Sequence, residues 1–230
     1  MPSPSSIRAI TFDAGGTLID PWPSVGGIYA DVAARFGYVV DTRALDRQFA
    51  VAWKTKANFD YSRRAWAEVV RQTFSGLTPH PPDNTLFEEL YRQFAHAHAW
   101  RVYQDVRTTL TTLKSRGLRL GLISNWDERL RPLLTQLRLD AFFQSIVICS
   151  EIGAAKPSPL IFHRAVRQLD LPCSQVLHVG DSISEDVAGA RAAGLQAVHL
   201  QRRRDASLPP GSAPAAKTSD VIQSLGELIE

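Results

Sequence analysis

The chain has 230 residues, of which 44% are hydrophobic and 21% charged, and its net charge is +3. These values suit a globular chain with room for one domain, or one domain carrying an insert, and the charge is too small to argue for nucleic acid. No run reaches membrane-span length, Met1–Ser6 lacks the charged and apolar regions of a secretory signal, and Cys149 and Cys173 offer no disulfide framework. The expectation is a cytoplasmic protein with no membrane or nucleic-acid partner.

From the N-terminus, the apolar run Ile7–Phe12 stops at Asp13-Ala14-Gly15-Gly16-Thr17. It predicts a buried strand that delivers one carboxylate into a tight glycine loop. Four helical patterns follow with no strand between them: Val25–Phe36, Asp41–Ala57, Tyr61–Phe74 and Thr85–Ala97, with Thr78-Pro79-His80-Pro81-Pro82 as a break. Strand and helix patterns then alternate: helix Arg107–Arg116, strand Leu118–Ser124, helix Glu128–Leu137, strand Ile146–Cys149, helix Pro159–Leu169, strand Val176–Val179, helix Ser184–Ala193 and strand Gln196–Leu200. Gly117 and Gly194 fit C-caps. The basic run Arg202-Arg203-Arg204 heads a Pro/Ala/Ser-rich stretch and reads as a solvated loop.

Alternation of this kind predicts an α/β fold, a doubly wound, Rossmann-like parallel sheet. Residues 1–19 and 106–230 would form that core. Residues 20–105 would form a helical cap, inserted where open α/β sheets bind ligands.

The chemistry lies at the strand ends. The first strand ends in Asp13 and the second in Ser124-Asn125. Gly153-Ala154-Ala155-Lys156-Pro157 follows the third, and the fourth ends in Gly180-Asp181, with Asp186 five residues on. Parallel topology gathers all of these on one sheet edge. Three carboxylates brought that close need a cation, and oxygen-only ligands suit Mg²⁺. Lys156 and Ser124 suit a tetrahedral oxyanion such as phosphate. Each residue alone has a plainer reading, as a turn, a helix cap or a surface charge; four coincidences at successive strand ends are improbable. His96 and His98 read as a helix end rather than a metal site, and His178 as a hydrogen-bonded core residue.

These four elements in this order resemble the haloacid dehalogenase-like (HAD) hydrolase superfamily. Its first motif is Asp-x-Asp-x-Thr, here Asp13-Ala14-Gly15-Gly16-Thr17. A Ser or Thr after an apolar strand follows, here Ser124, then a Lys, here Lys156, then Gly-Asp with a further acid, here Gly180-Asp181 and Asp186. The resemblance covers essentially the whole chain. It implies a Rossmann-like core with an inserted cap, and catalysis by Asp13, Ser124 and Lys156 with Asp13 as the phosphoryl-accepting nucleophile. It further implies a small phosphorylated substrate contacted by Ala14, Gly15, Ser124, Asn125 and Lys156. Mg²⁺ would be held by Asp13, the Gly15 carbonyl and Asp181, with Asp186 completing the metal site or orienting Lys156. The oligomeric state stays open.

One position departs from the pattern. Phosphatase members carry an acid where this chain has Gly15, and that acid protonates the leaving group and later activates water. Gly15 keeps the carbonyl and loses both proton transfers, so the resemblance implies slow or unusual turnover. Asp20 or Asp127 is a candidate substitute. Two other readings stand beside it: a non-catalytic binding protein on this fold, and a dehalogenase- or phosphonatase-type hydrolase that needs no general acid, the latter with Lys54 as a Schiff-base lysine. Trp22, Lys54, Tyr61, Arg63, Arg64 and Trp66 are candidates for substrate selection by the cap.

Overall fold

The computed structural model describes residues 7–56, 59–80, 82–202 and 220–230. Arg203 and Arg204 of the expected solvated loop, with Met1–Ser6, Ala57 and Pro81, lie outside the described residues. The strands are β1 (Ala9–Phe12), β2 (Ile19–Pro21), β3 (Trp100–Val102), β4 (Arg119–Ser124), β5 (Ser145–Ile148), β6 (Val176–Gly180), β7 (Gln196–Leu200) and β8 (Val221–Ile222). The α-helices are α1 (Val25–Arg35), α2 (Thr42–Thr55), α3 (Arg63–Phe74), α4 (Asn84–Gln93), α5 (Gln104–Ser115), α6 (Leu130–Gln136), α7 (Cys149–Ile152), α8 (Pro159–Leu169) and α9 (Gly189–Ala192). The chain forms two compact units, one of Met1–Ile19, Val102–Asn125 and Leu139–Glu230, the other of Asp20–Arg101 and Trp126–Arg138.

The first unit is built on a six-stranded sheet in the order β5-β4-β1-β6-β7-β8, and every pairing given for it is parallel. In β1, Phe12 pairs with Leu122 of β4 and with Val179 of β6. All four β1 residues are buried, which explains why the strand reads as an unbroken run rather than an alternating one. Asp13 N–H donates to the Val179 carbonyl at 3.0 Å, so the chain stays fastened to the sheet up to its carboxylate.

Helices α5 and α8 flank the sheet strands in sequence and bury residues at helical spacing. In α8 these are Ile161, Phe162, Ala165, Val166 and Leu169. Ser158 caps α8, and Pro159 fits its first turn, where an N–H would have no partner.

Two expected elements are redrawn. The pattern Ser184–Ala193 is not one α-helix: residues Ile183–Ala188 wind as a π-type turn, and only Gly189–Ala192 is α. The Ser182 carbonyl accepts from both Asp186 N–H (2.9 Å) and Val187 N–H (3.1 Å), which widens the turn at the residue whose side chain enters the site. The expected strand Ile146–Cys149 stops at Ile148, and Cys149 opens α7. The two-residue β8 is too short to produce a sequence pattern.

The second unit is helical. Ser24, Asp41, Ser62 and Asp83 each accept an N–H of the first turn and start α1, α2, α3 and α4. Its core joins Tyr29, Val32, Leu45, Val70, Phe74 and Leu90, with Tyr29 stacked on Phe74 at 5.7 Å between ring centroids.

The segment Trp126–Arg138, expected in the sheet core, groups with this unit, while residues 102–105, expected in the insert, group with the sheet. A buried ion pair accounts for the first shift. Arg129 reaches Asp127 Oδ1 at 2.8 Å and Oδ2 at 2.6 Å, donates to the Tyr91 carbonyl at 3.1 Å and lies 3.6 Å over the Tyr91 ring. Trp66 Nε1 donates to the same carboxylate at 2.7 Å. Among the described residues no helix is long and apolar enough to cross a membrane.

Candidate active site

The strand ends of the first unit bring the expected side chains together. Lys156 Nζ lies 2.6 Å from Asp13 Oδ1 and 2.6 Å from Asp186 Oδ1. Ser124 Oγ, at the end of β4, donates to Asp13 Oδ1 at 3.3 Å. Asp13, Ser124, Lys156 and Asp186 are all buried, whereas Asp181 is exposed at the rim. Gly16 adopts a left-handed backbone, φ +75°, so glycine suits the turn; a methyl there would also overlap the Asp181 carboxylate. Gly180 has no room either, because a methyl would overlap the Asp186 side chain.

Asp186 is fully engaged. Oδ1 accepts from Lys156 and from His178 Nε2 at 3.0 Å, and Oδ2 accepts from Ser182 N–H at 2.9 Å. The other ring nitrogen of His178 faces the Thr11 hydroxyl at 2.9 Å, and Phe162 packs edge-on at 5.2 Å. His178 is thus the hydrogen-bonded core residue the sequence suggests, with a link to the site that its strand position did not reveal. Asp186 thus grips the Lys156 ammonium, and its carboxylate also lies within the acidic cluster.

The electrostatics follow from three carboxylates around one ammonium. Burial pushes the Asp13 carboxyl above its ordinary range; Lys156 pulls it down and Asp186 pushes it up again. Burial disfavours the Lys156 ammonium, but Asp13 and Asp186 outweigh it and hold the proton on. Burial also opposes the Asp186 carboxylate, and Lys156 and His178 overcome that and hold it well below the usual range. Asp181, desolvated around its carboxyl and facing Asp13 and Asp186, is pushed up to about 7. Asp13, Asp181 and Asp186 place ligand oxygens within 4.8 Å of one another. Hard oxygen donors whose mutual repulsion one lysine does not relieve form a set that fits a divalent cation.

The remaining expected residues fall as follows. Ala14 lays its N–H against the Asp13 carboxylate, while its carbonyl accepts from Leu18 and Ile19 N–H. Gly15 is half-buried and bridges to Ile19. Asn125 differs from expectation. Its amide oxygen accepts from Lys156 N–H at 2.7 Å, and its NH₂ donates to the Lys156 carbonyl and to Glu185 Oε2, both at 3.0 Å. It braces the lysine's backbone and offers no free amide for phosphate. Both Asp127 oxygens are occupied within the second unit, and Asp20 pairs with Arg101 at 3.1 Å. Lys54 is exposed at the end of α2, and Tyr61 is buried.

Sequence reasoning missed Glu185 and Arg202. Arg202, read as solvated, is half-buried and bonded to Thr17 and Asp105. No pattern in the chain marks it, since its neighbours in sequence are two more arginines.

A family model described as haloacid dehalogenase-like hydrolase matches residues 7–194. The chain is 33% identical over 235 residues to haloacid dehalogenase-like hydrolase domain-containing protein 3 of Xenopus laevis, covering 97% of this chain and 95% of the relative. It is 30% identical over 230 residues to a phosphoglycolate phosphatase of Pseudomonas savastanoi pv. phaseolicola, covering 95% and 78%. In fold it is similar to the crystal structure of a HAD phosphatase from Thermococcus onnurineus, with TM-score 0.68, 24% identity and 96% of each chain covered.

Proposed function

Because the chain belongs to the haloacid dehalogenase-like hydrolase family, we propose that it hydrolyses small phosphate esters through a phosphoryl group carried on Asp13, with Mg²⁺ held by Asp13, Asp181 and the Gly15 carbonyl. One observation carries this reading. A hydroxyl and an ammonium converge within 3.3 Å of Oδ1 of the buried Asp13 carboxylate, beside an acid cluster fit for a cation. Bound there, Mg²⁺ supplies charge compensation for the carboxylates and polarises the phosphoryl oxygens.

The chain's own groups then divide the work. Asp13 attacks phosphorus as its bond to the ester oxygen breaks. Lys156 and Ser124 meet the oxyanion charge on the transferring group. Asn125 and Asp186 hold Lys156 from its backbone and its ammonium, and neither needs to touch substrate. The leaving oxygen takes its proton from solvent, because Gly15 has no side chain to give one. Loss of such a group costs on the order of 10²–10⁴-fold in rate. Esters of acidic alcohols and phenols suffer least in the first step. Water then releases phosphate from Asp13, again without a base at position 15.

Mg²⁺-dependent phosphate release from aryl and alkyl phosphates tests this reading, with D13N and G15D run beside wild type. Aryl turnover abolished by D13N and raised by G15D is the expected pattern. Wild type and G15D both inert would refute it. Gly15 also favours a second reading, a non-catalytic phosphometabolite-binding protein, and that would move ahead if phosphate bound under those same conditions.

A further inference from the structure

Arg202 stands outside the four strand-end elements, yet its guanidinium is among the most fully used groups near them. Nε and Nη2 donate to the Thr17 carbonyl at 3.1 and 2.7 Å. Nη1 and Nη2 donate to the Asp105 carboxylate at 3.1 and 3.0 Å. The plane lies 3.8 Å over the Tyr103 ring, and the side chain is 14% exposed. Asp105 is anchored in turn by Ser224 Oγ at 3.0 Å and Leu225 N–H at 2.8 Å. Burial alone would raise the Asp105 carboxyl; Arg202 and these donors outweigh it and hold it below the ordinary range.

What Arg202 grips is the loop that walls the acidic cluster. Thr17 follows Gly16, whose backbone presses so closely on the Asp181 carboxylate that no side chain fits between. The Thr17 hydroxyl is buried and has no hydrogen-bond partner among the described residues, so the residue is held through its carbonyl. Tyr103 N–H adds a bond to the Leu18 carbonyl at 3.1 Å. Thr17–Leu18 and Tyr103–Asp105 flank the points where the chain leaves the sheet unit after Ile19 and returns at Val102. A single guanidinium therefore ties both segments together from inside that unit.

We propose that Arg202 is a positioning residue that fixes the Gly15–Thr17 backbone against Asp181 and so sets the site's affinity for Mg²⁺. The inference rests on the function proposed above. Lysine would keep the charge but not the fork: one ammonium cannot bond the Thr17 carbonyl twice and Asp105 twice while stacking on Tyr103.

The test is a calorimetric titration of Mg²⁺ into wild type and R202K, with melting temperature and phosphate release measured alongside. Mg²⁺ binding weakened on the order of 10-fold in R202K, with kcat lowered and KM for an aryl phosphate unchanged, is the expected result. Unchanged Mg²⁺ affinity in R202K overturns the inference while leaving the proposed function standing. Absence of Mg²⁺ binding by wild type overturns both. If R202K melts too early to titrate, R202A is measured with ethylguanidinium or ethylammonium added. Recovery of Mg²⁺ binding with ethylguanidinium alone supports the assignment, and no recovery, or equal recovery with both, overturns it.

Discussion

Replacing Lys156 with methionine deletes one ammonium from a site of three carboxylates while nearly preserving side-chain volume. In the native protein Nζ is 2.6 Å from both Asp13 and Asp186, and the lysine side chain is 2% exposed. Removing one partner from a buried pair costs ~3–5 kcal/mol. Two buried carboxylates lose the same partner here, which places the expected loss at about 4–5 kcal/mol. For a chain of this length that is a fall of roughly 8–20 °C in melting temperature.

The pH dependence separates this cause from lost packing. Lys156 draws the Asp13 and Asp186 carboxyls down against burial. Without it the Asp13 carboxyl, already raised by burial, rises further above its unfolded value in the folded state, and Asp186 keeps His178 to hold it down against burial. The folded variant then binds more protons than the unfolded chain, so its stability falls as pH rises through that interval. K156M is expected near wild-type stability at about pH 5 and furthest below it at about pH 8, where added Mg²⁺ recovers part of the loss. Thermal and urea unfolding at both pH values, with and without Mg²⁺, measure this. A loss of equal size at every pH would refute the electrostatic account.

Two further outcomes follow from groups already described. Asp181, pushed up to about 7 by desolvation and by Asp13 and Asp186, must lose its proton to act as a ligand. Mg²⁺ affinity is therefore expected to climb about tenfold per pH unit below that value and to flatten above it, with proton release visible by calorimetry in buffers of different ionisation enthalpy; a flat profile contradicts this. In the helical unit, R129L strands Asp127, whose side chain is 1% exposed, at a cost of ~3–5 kcal/mol by chemical denaturation. The double variant D127N/R129L should recover much of it, and a single-variant loss below about 1 kcal/mol would mean that the pair is not the anchor of Trp126–Arg138.

The sheet and its edge were legible because buried parallel strands write themselves as short apolar runs, and the candidate site residues sit at or after the ends of four of them. Asp13, Ser124 and Lys156 could be found this way, since strand ends converge whatever the side chains do next. The direction in which a side chain turns is set by distant neighbours. Asn125 turns its amide to the Lys156 backbone because that segment and Glu185 arrive from 31 and 60 residues away. The segment Trp126–Arg138 carries an ordinary helical pattern, and contacts such as the Asp127–Arg129 pair meeting Trp66 and Tyr91, or Gln136 bonding Ala95 and Ala97, assign it to the helical unit. Arg202 looks like any loop arginine until Thr17 and Asp105 are folded beneath it.

The position of β1 sets the order in which this protein can be made. It leaves the ribosome before both of its hydrogen-bonding neighbours, β4 and β6, and the Thr11–His178 bond spans 167 residues. Until β6 is synthesised, the run Ala9–Phe12 has an apolar surface with nothing to cover one side and an open ladder to invite mispairing. The helical segments encoded between β1 and β4 pack largely through neighbours close in sequence, a topology that forms quickly, so they can fold while the sheet waits. The nascent chain thus holds Asp13 on an unfinished strand until β6 has emerged, and only then can Asp13, Lys156 and Asp186 come together.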